Sequence, residues 1–380
     1  MDEKGYEVRE IDSHKGKGLF ATKGFEPGDV IFEEVPLVCC QYAWNKDYGY
    51  SACDHCMRPL ESVEENVRRL TSRHIGLPHP ECDPTDKSRH VSCPSCGVKY
   101  CSNSCQNLAS QQYHRVLCYG PDHPINSLID TWKSMHYPPE TATIMLIARI
   151  FAVVEQAQDK DEVVSNFMKF CHRSVNEEDE IAHKLLGSEF NHQREVLRQQ
   201  MASLFPSEYV RHWLTPDGFR SLLALIGTNG QGVGTSVFSA WQKQVLQLTL
   251  PPEETSTFNS LIDKIYDEMD EVVGTFLNCE GSALYSLQRL ANHSCQPNAT
   301  VTFPHNDYTL SLRAERTIQP NEEICISYLD ECLLSHSRHT RHKVLRDHYL
   351  FVCSCDRCQE QADDPDETSE EEEDEEEVSM

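Results

Sequence analysis

Eight soft metal ligands fall within residues 53–118, and they constrain this chain more than any other feature. They run Cys53-x2-Cys56 and then, after a gap of 36 residues, Cys93-x2-Cys96-x4-Cys101-x3-Cys105-x8-His114-x3-Cys118. A Cys-x2-Cys pair closes a tight turn that holds two thiolates about 2.3 Å from one zinc ion, and eight ligands supply two tetrahedral sites of four. His114 and Cys118 stand at i and i+4, so a helix would present both on one face. The segment is poor in large apolar side chains and is expected to need metal in order to fold. His74, His79, Cys82 and His90 in the gap have the chemistry to compete as ligands and are read as exposed loop residues.

The thiol count bears on the compartment. Eighteen cysteines follow an N-terminus, Met1–Glu10, that is charged and has no apolar signal core. Such a chain is expected in the cytosol, with the nucleus as a second compartment, where paired cysteines hold metal more often than disulfides. Its 380 residues allow one large domain or two to three smaller ones. A net charge of −27 would repel a phosphate backbone, which excludes a general nucleic-acid binder and suits basic protein partners. Asp363–Glu377 carries twelve of the acids and no base, leaving about −15 on the rest; it is read as a disordered tail. The apolar run Ile144–Val154 is broken by Arg149 and falls short of the roughly 20 residues a bilayer needs, so it reads as a buried helix and no membrane segment is expected.

Elsewhere the pattern alternates between strand-like and helix-like stretches. Residues 8–40 are β-rich, with Val30–Phe32 and Val35–Cys40 as strands. Residues 124–215 are helical by periodicity, and Phe219–Ile226 fits a helix leading into the glycine-rich Gly227–Gly234. Ala299–Phe303, Tyr308–Ala314 and Glu323–Tyr328 read as a β-meander with turns at Asn306-Asp307 and Pro320-Asn321.

The first cysteine pattern resembles a MYND zinc finger, with Tyr100 before Cys101 also matching. In that family the two sites interleave. The resemblance implies Cys53, Cys56, Cys101 and Cys105 on one ion and Cys93, Cys96, His114 and Cys118 on the other, in a module that binds partner peptides. Three further stretches occur in a fixed order: Lys15-Gly-Lys-Gly-Leu-Phe-Ala-Thr22, Asn292-His-Ser-Cys-Gln-Pro-Asn298, and Asn321-Glu-Glu-Ile-Cys-Ile-Ser-Tyr-Leu-Asp330, the last followed by Cys353-x-Cys355-x2-Cys358. Together they resemble a SET domain, and with the finger they resemble the SET and MYND-domain protein lysine methyltransferases up to about residue 360. Most such proteins carry a helical repeat lobe after the last cysteines, and none is expected in the 22 residues that follow Cys358 here.

The resemblance implies an α+β fold: a β-rich SET domain split by the finger and a helical insert, closed by a cysteine-rich post-SET segment. The expected divisions are 1–52 for the first part of the SET domain, 53–118 for the finger, 119–215 for the helical insert, 216–330 for the core SET domain, 331–360 for the post-SET segment and 361–380 for the tail. It implies S-adenosylmethionine as methyl donor and three zinc ions, the third held by Cys295, Cys353, Cys355 and Cys358. Lys17, Gly18, Leu19, Asn229, Asn292, His293, Tyr328, Tyr349 and Phe351 match positions that hold the cofactor, and Tyr328 matches the catalytic tyrosine. Tyr285 is read as channel lining or as core, Glu322 and Glu323 as surface residues of a turn and strand, and the ring of His293 as a candidate buried structural group. The expected activity is methylation of a lysine on a basic protein of the histone or ribosomal class; the competing reading is an adaptor that has lost activity.

Overall fold

The computed structural model describes residues 4–12, 15–135, 144–175, 186, 188–274 and 276–365. The acidic run from Asp366 onward, expected to be disordered, lies outside the described residues. Three small sheets form the β-rich part. Tyr6–Asp12, Gly16–Ala21, Glu323–Ile326 and Asn292–His293 make one sheet in that order. Ala299–Thr302, Leu310–Ala314 and Val30–Glu34 make a second, and Val38–Gln41, Cys279–Leu284 and Gln231–Thr235 a third. Alternation puts Leu19 and Ala21 on one face, where both are fully buried, and turns Phe20 between them to the other, where it is partly exposed. They meet Phe25, Ile31, Leu310, Leu312 and Ile324 in one apolar core.

The expected meander is only half formed. Ala299–Thr302 and Leu310–Ala314 pair antiparallel, but Glu323–Ile326 crosses into the first sheet. There it lies antiparallel to Gly16–Ala21 and parallel to Asn292–His293, so two segments far apart in sequence are threaded side by side. The side chain of Asn298 explains the departure. Its Nδ2 donates to the Glu323 carbonyl at 2.8 Å and its Oδ1 accepts the Cys325 N–H at 2.8 Å, satisfying backbone groups that a neighbouring strand would otherwise take.

The helical insert contains Ile125–Met135, Ile144–Gln156, Lys160–Met168 and Asn191–Leu204. Ile144–Gln156 is apolar nearly all round and buried, as its composition predicts. Arg149 is the exception on that helix. Its guanidinium reaches the Asp54 carboxylate at 3.0 Å and the Asp54 carbonyl at 2.9 Å, and lies over the Tyr113 ring at 3.9 Å. The Tyr113 hydroxyl donates to Asp54 in turn. Asp54 sits inside the Cys53–Cys56 turn, so this network fastens the finger to the insert. Asp54→Ala should lower stability by about 3–5 kcal/mol, because it leaves a buried guanidinium unpaired. Thermal denaturation compared with Arg149→Met, which removes the charge as well, measures this; the methionine variant should lose less.

The gap between Cys56 and Cys93 is not the coreless loop its composition suggested. Val63–Thr71 forms a helix opened by a capping box, in which Ser62 and Glu65 exchange side-chain-to-backbone hydrogen bonds. Val63, Val67 and Leu70 pack with Phe238, Trp241, Phe258, Ile262 and Ile265 from the helices Val237–Val245 and Pro252–Val273. Cys82 is buried in the same cluster, contrary to its reading as an exposed loop residue. His79 lies between Glu81 and Glu254, each at 3.3 Å, and none of the four competitors joins a metal cluster among the described residues.

Candidate active site and metal centres

Parallel pairing of Asn292–His293 with Glu323–Ile326 brings the Asn-His-Ser-Cys loop beside Tyr328, two residues beyond the strand end. The Tyr328 hydroxyl donates to the Ala291 carbonyl at 3.0 Å, and its backbone N–H donates to His293 Nδ1 at 3.0 Å. The Tyr349 hydroxyl donates to the Tyr328 carbonyl at 3.4 Å. His293, Tyr328, Tyr349 and Phe351 stand as a group of four rings. Tyr328 lies 5.0 Å from Tyr349 and edge-on to Phe351 at 6.3 Å, and His293 lies 6.0 Å from Phe351. Burial, with the neighbouring Tyr349 second, pushes the Tyr328 hydroxyl above its usual range, so it keeps its proton at physiological pH. Burial also lowers His293 to about 4, leaving its imidazole neutral.

Below this group the strand Gly16–Ala21 comes close to Asn292. The Asn292 Nδ2 donates to the Lys17 carbonyl at 3.2 Å and to Glu323 Oε1 at 2.8 Å. With both of its protons committed, Oδ1 is the atom left to meet a ligand's ammonium. Gly18 keeps this spot uncrowded, since a Cβ on it would stand 2.7 Å from Ile11 Cδ1 and 3.0 Å from both Asn292 Nδ2 and Glu323 Oε1, and the two polar side chains would have to shift. Gly18→Ala should therefore weaken binding of a ligand held by Asn292 about tenfold, the effect of roughly 1–2 kcal/mol of overpacking. Isothermal titration calorimetry with S-adenosylmethionine reads this directly.

The structure brings Lys17, Gly18, Asn292, His293, Tyr328, Tyr349 and Phe351 to one region, and buries Leu19 fully in the core behind Gly18. Asn229 ends the helix Pro216–Asn229, and its carboxamide is already engaged. It donates to the Cys171 carbonyl at 2.8 Å and to the Leu225 carbonyl at 2.8 Å, with no hydrogen bond to the other site residues among those described. Tyr285 is fully buried and donates to the Tyr308 carbonyl, which makes it a core residue. Two groups were underread. Glu323 holds Asn292 and also takes Lys15 Nζ at 3.4 Å. Glu322 accepts from Asn298 at 3.0 Å and pairs with Arg316 at 2.7 Å; burial raises its carboxyl, but the Gln319 N–H, Arg316 and Asn298 together hold it below the usual value. Glu34 was missed altogether: it accepts the N–H groups of Leu287 and Gln288 at 2.8 and 2.9 Å and so fixes the loop that leads into Ala291. Asn292 and Asn298, whose amides reach Glu323 and Glu322, were the available signal for those two acids; Glu34 had none.

Three clusters of four ligands are formed: Cys53, Cys56, Cys101 and Cys105; Cys93, Cys96, His114 and Cys118; and Cys295, Cys353, Cys355 and Cys358. Within each, the donor atoms lie within 4.8 Å of one another. Sulfur pairs stand 3.5–3.6 Å apart, for example Cys101–Cys105 and Cys93–Cys118, and Cys96 Sγ is 3.6 Å from His114 Nε2. Disulfide sulfurs would be about 2.05 Å apart. A tetrahedron with metal–sulfur bonds of about 2.3 Å has edges of about 3.8 Å. The spacing is that of ligands around one zinc ion, and the chain fits three. His114 and Cys118 do converge, but not on one α-helical face. Ser110–His114 is wound as a π-helix, and Cys118 follows the short turn Arg115–Leu117 outside the helical range. At the third cluster the fully buried Arg341 donates to Cys295 Sγ at 3.3 Å and to Cys358 Sγ at 3.6 Å. A buried guanidinium aimed at two sulfurs matches the negative charge of thiolates gathered on a cation.

Comparison with known proteins agrees with this geometry. The SET domain family model matches residues 16–329. Protein-lysine N-trimethyltransferase SMYD5 of Homo sapiens is 52% identical over 368 residues, covering 95% of this chain and 88% of that protein. The Gallus gallus protein of the same name is 51% identical over 368 residues with the same coverage of both chains. Histone-lysine N-methyltransferase SMYD3 of Homo sapiens is 27% identical over 359 residues, covering 93% of this chain and 61% of that one.

Proposed function

As the chain belongs to the SET domain family, among the SET and MYND-domain methyltransferases, and is a protein-lysine N-methyltransferase, we propose that it uses S-adenosylmethionine to methylate a basic protein and that Tyr328 is its catalytic residue. One observation carries the reading: the Tyr328 hydroxyl, protonated and set among the rings of His293, Tyr349 and Phe351, is tied to the carbonyl of Ala291, the residue before Asn292. S-adenosylmethionine supplies a methyl group on a positively charged sulfur. Asn292 Oδ1 and the backbone around Lys17–Leu19 and His293 suit its amino-acid end, and Phe351 and Tyr349 offer aromatic faces for its adenine. Asn229 would join them by exchanging its bond to the Cys171 carbonyl for one to the ligand.

The target lysine, with pKa near 10.4, must lose its proton before it attacks. An approach lined by the Tyr328, Tyr349 and Phe351 rings would disfavour the ammonium. Tyr328 then orients the amine and places its oxygen dipole against the charge moving from sulfur to nitrogen. An acidic surface, with net charge −27 over the whole chain, draws in basic proteins, and histones and ribosomal proteins are the substrate classes we infer. The names of the SMYD5 relatives support trimethylation as the degree. The finger is suited to hold partner peptides, and its thiol-rich make-up favours a reducing compartment, cytoplasm or nucleus. No helix among the described residues is long and apolar enough to cross a membrane.

Transfer of labelled methyl from S-adenosylmethionine to core histones and to ribosomal proteins, at low and at 0.5 M salt, tests the assignment. Labelled lysine in one class, weakened by salt, is expected. Label on neither would contradict it.

A further inference from the structure

The ring of His293 links the third metal cluster to the tyrosine. Its two nitrogens have different partners. Nδ1 lies 3.0 Å from the backbone N–H of Tyr328, and a backbone N–H can only donate, so Nδ1 carries no proton. With Nδ1 facing a donor, the ring's proton sits on Nε2, which lies 3.4 Å from Cys295 Sγ. Cys295 also receives the Arg341 Nε–H at 3.3 Å, so its sulfur accepts from two N–H donors, as a metal-bound thiolate does. The ring is buried at 6% exposure and cannot exchange either partner for water.

Resting on Tyr328 as the catalytic residue, we infer that His293 is a positioning residue: its imidazole, fixed as the Nε2–H tautomer, is a strut that sets the backbone of Tyr328 from the Cys295 thiolate and so makes methyl transfer depend on an intact C-terminal cysteine cluster. Ala291, two residues earlier on the same segment, takes the Tyr328 hydroxyl. The tyrosine is thereby held at its backbone and at its tip by one short stretch of chain that ends in a metal ligand. Sequence alone left this ring as a buried histidine; the two opposed hydrogen bonds give it a direction.

Two substitutions separate the bonds. In His293→Asn the amide oxygen stands where Nδ1 was and can still accept from Tyr328, while the contact to Cys295 is lost. In His293→Gln the amide nitrogen stands where Nε2 was and can still donate to Cys295, while the tie to Tyr328 is lost. His293→Gln should lower kcat by about 30-fold, within the roughly 100-fold cost of misplacing a catalytic group by about 1 Å, with KM for S-adenosylmethionine little changed and three zinc ions retained. His293→Asn should lower kcat by only a few-fold but release one zinc ion to a chelator about tenfold faster. Long-range proton–nitrogen NMR, assigned by the signals lost in His293→Gln, should show a ring protonated at Nε2 alone. A proton on Nδ1, or equal kcat losses in the two variants without faster zinc release, would overturn the strut. Tyr328→Phe with undiminished transfer would instead overturn the catalytic assignment, and the ring's tautomer would still decide the linkage.

Discussion

Replacing Tyr328 by phenylalanine should slow methyl transfer by about 10²–10³-fold, the range for removing one preorganised polar group at a transition state. The substitution removes a single oxygen, leaves the ring to pack with Tyr349 and Phe351, and touches no metal ligand. Cofactor affinity should stay within about threefold, because that oxygen bonds the Ala291 carbonyl and contributes little to ground-state binding. Single-turnover transfer and calorimetric binding, measured on the same preparation, separate the two quantities. The pH profile adds an internal check. Burial holds the Tyr328 hydroxyl protonated well beyond neutrality, so the wild-type rate should climb from pH 7 to about 9 as the target amine loses its proton, with no fall from tyrosinate formation.

Cys353→Ser should have the broadest consequence of any single change. A structural zinc site contributes on the order of 10–16 kcal/mol of apparent binding energy, as much as the whole folding stability of a typical domain. The third cluster joins Cys295, next to the cofactor cradle, to the segment that carries Tyr349 and Phe351. Losing it should cut the zinc content from three ions to two, free that segment, and weaken S-adenosylmethionine binding by more than about 100-fold, beyond the usual cost of a supporting residue. Metal analysis with cofactor titration checks it, and Cys96→Ser in the finger is the control. That variant should also lose an ion yet keep cofactor affinity, since Cys96 and its partners Cys93, His114 and Cys118 include none of the cradle residues.

What could be read from the sequence was whatever has a local signature. Cys-x2-Cys pairs announce their ligand sets because chelation needs short turns, and all twelve ligands assigned by resemblance fall into the three clusters found. The Asn-His-Ser-Cys and Ser-Tyr segments did meet, as their resemblance to a SET domain implied. What stayed hidden depends on distant partners. Val63, Val67 and Leu70 are too few to declare a core, and become one only against Trp241 and Phe258. The helix Pro252–Val273 carries Phe258, Ile262, Ile265 and Met269 on one face, a helical repeat that was present but unread among its many acids. Glu323 looked like a surface residue because nothing adjacent reveals that its oxygen meets Asn292 across a sheet. Asn229 matched a cofactor position, yet its amide is bound to Cys171, whose placement no spacing predicts.

The account depends on the methyl donor and the target amine meeting at Tyr328. A crystal structure of the complex with S-adenosylhomocysteine and a lysine peptide measures that most directly. The sulfur should lie against the Gly18–Asn292 cradle, with the lysine nitrogen entering from the opposite side within hydrogen-bond reach of the Tyr328 hydroxyl, about 3 Å. A sulfur bound elsewhere, or a Tyr328 hydroxyl facing away from both ligands, would contradict it.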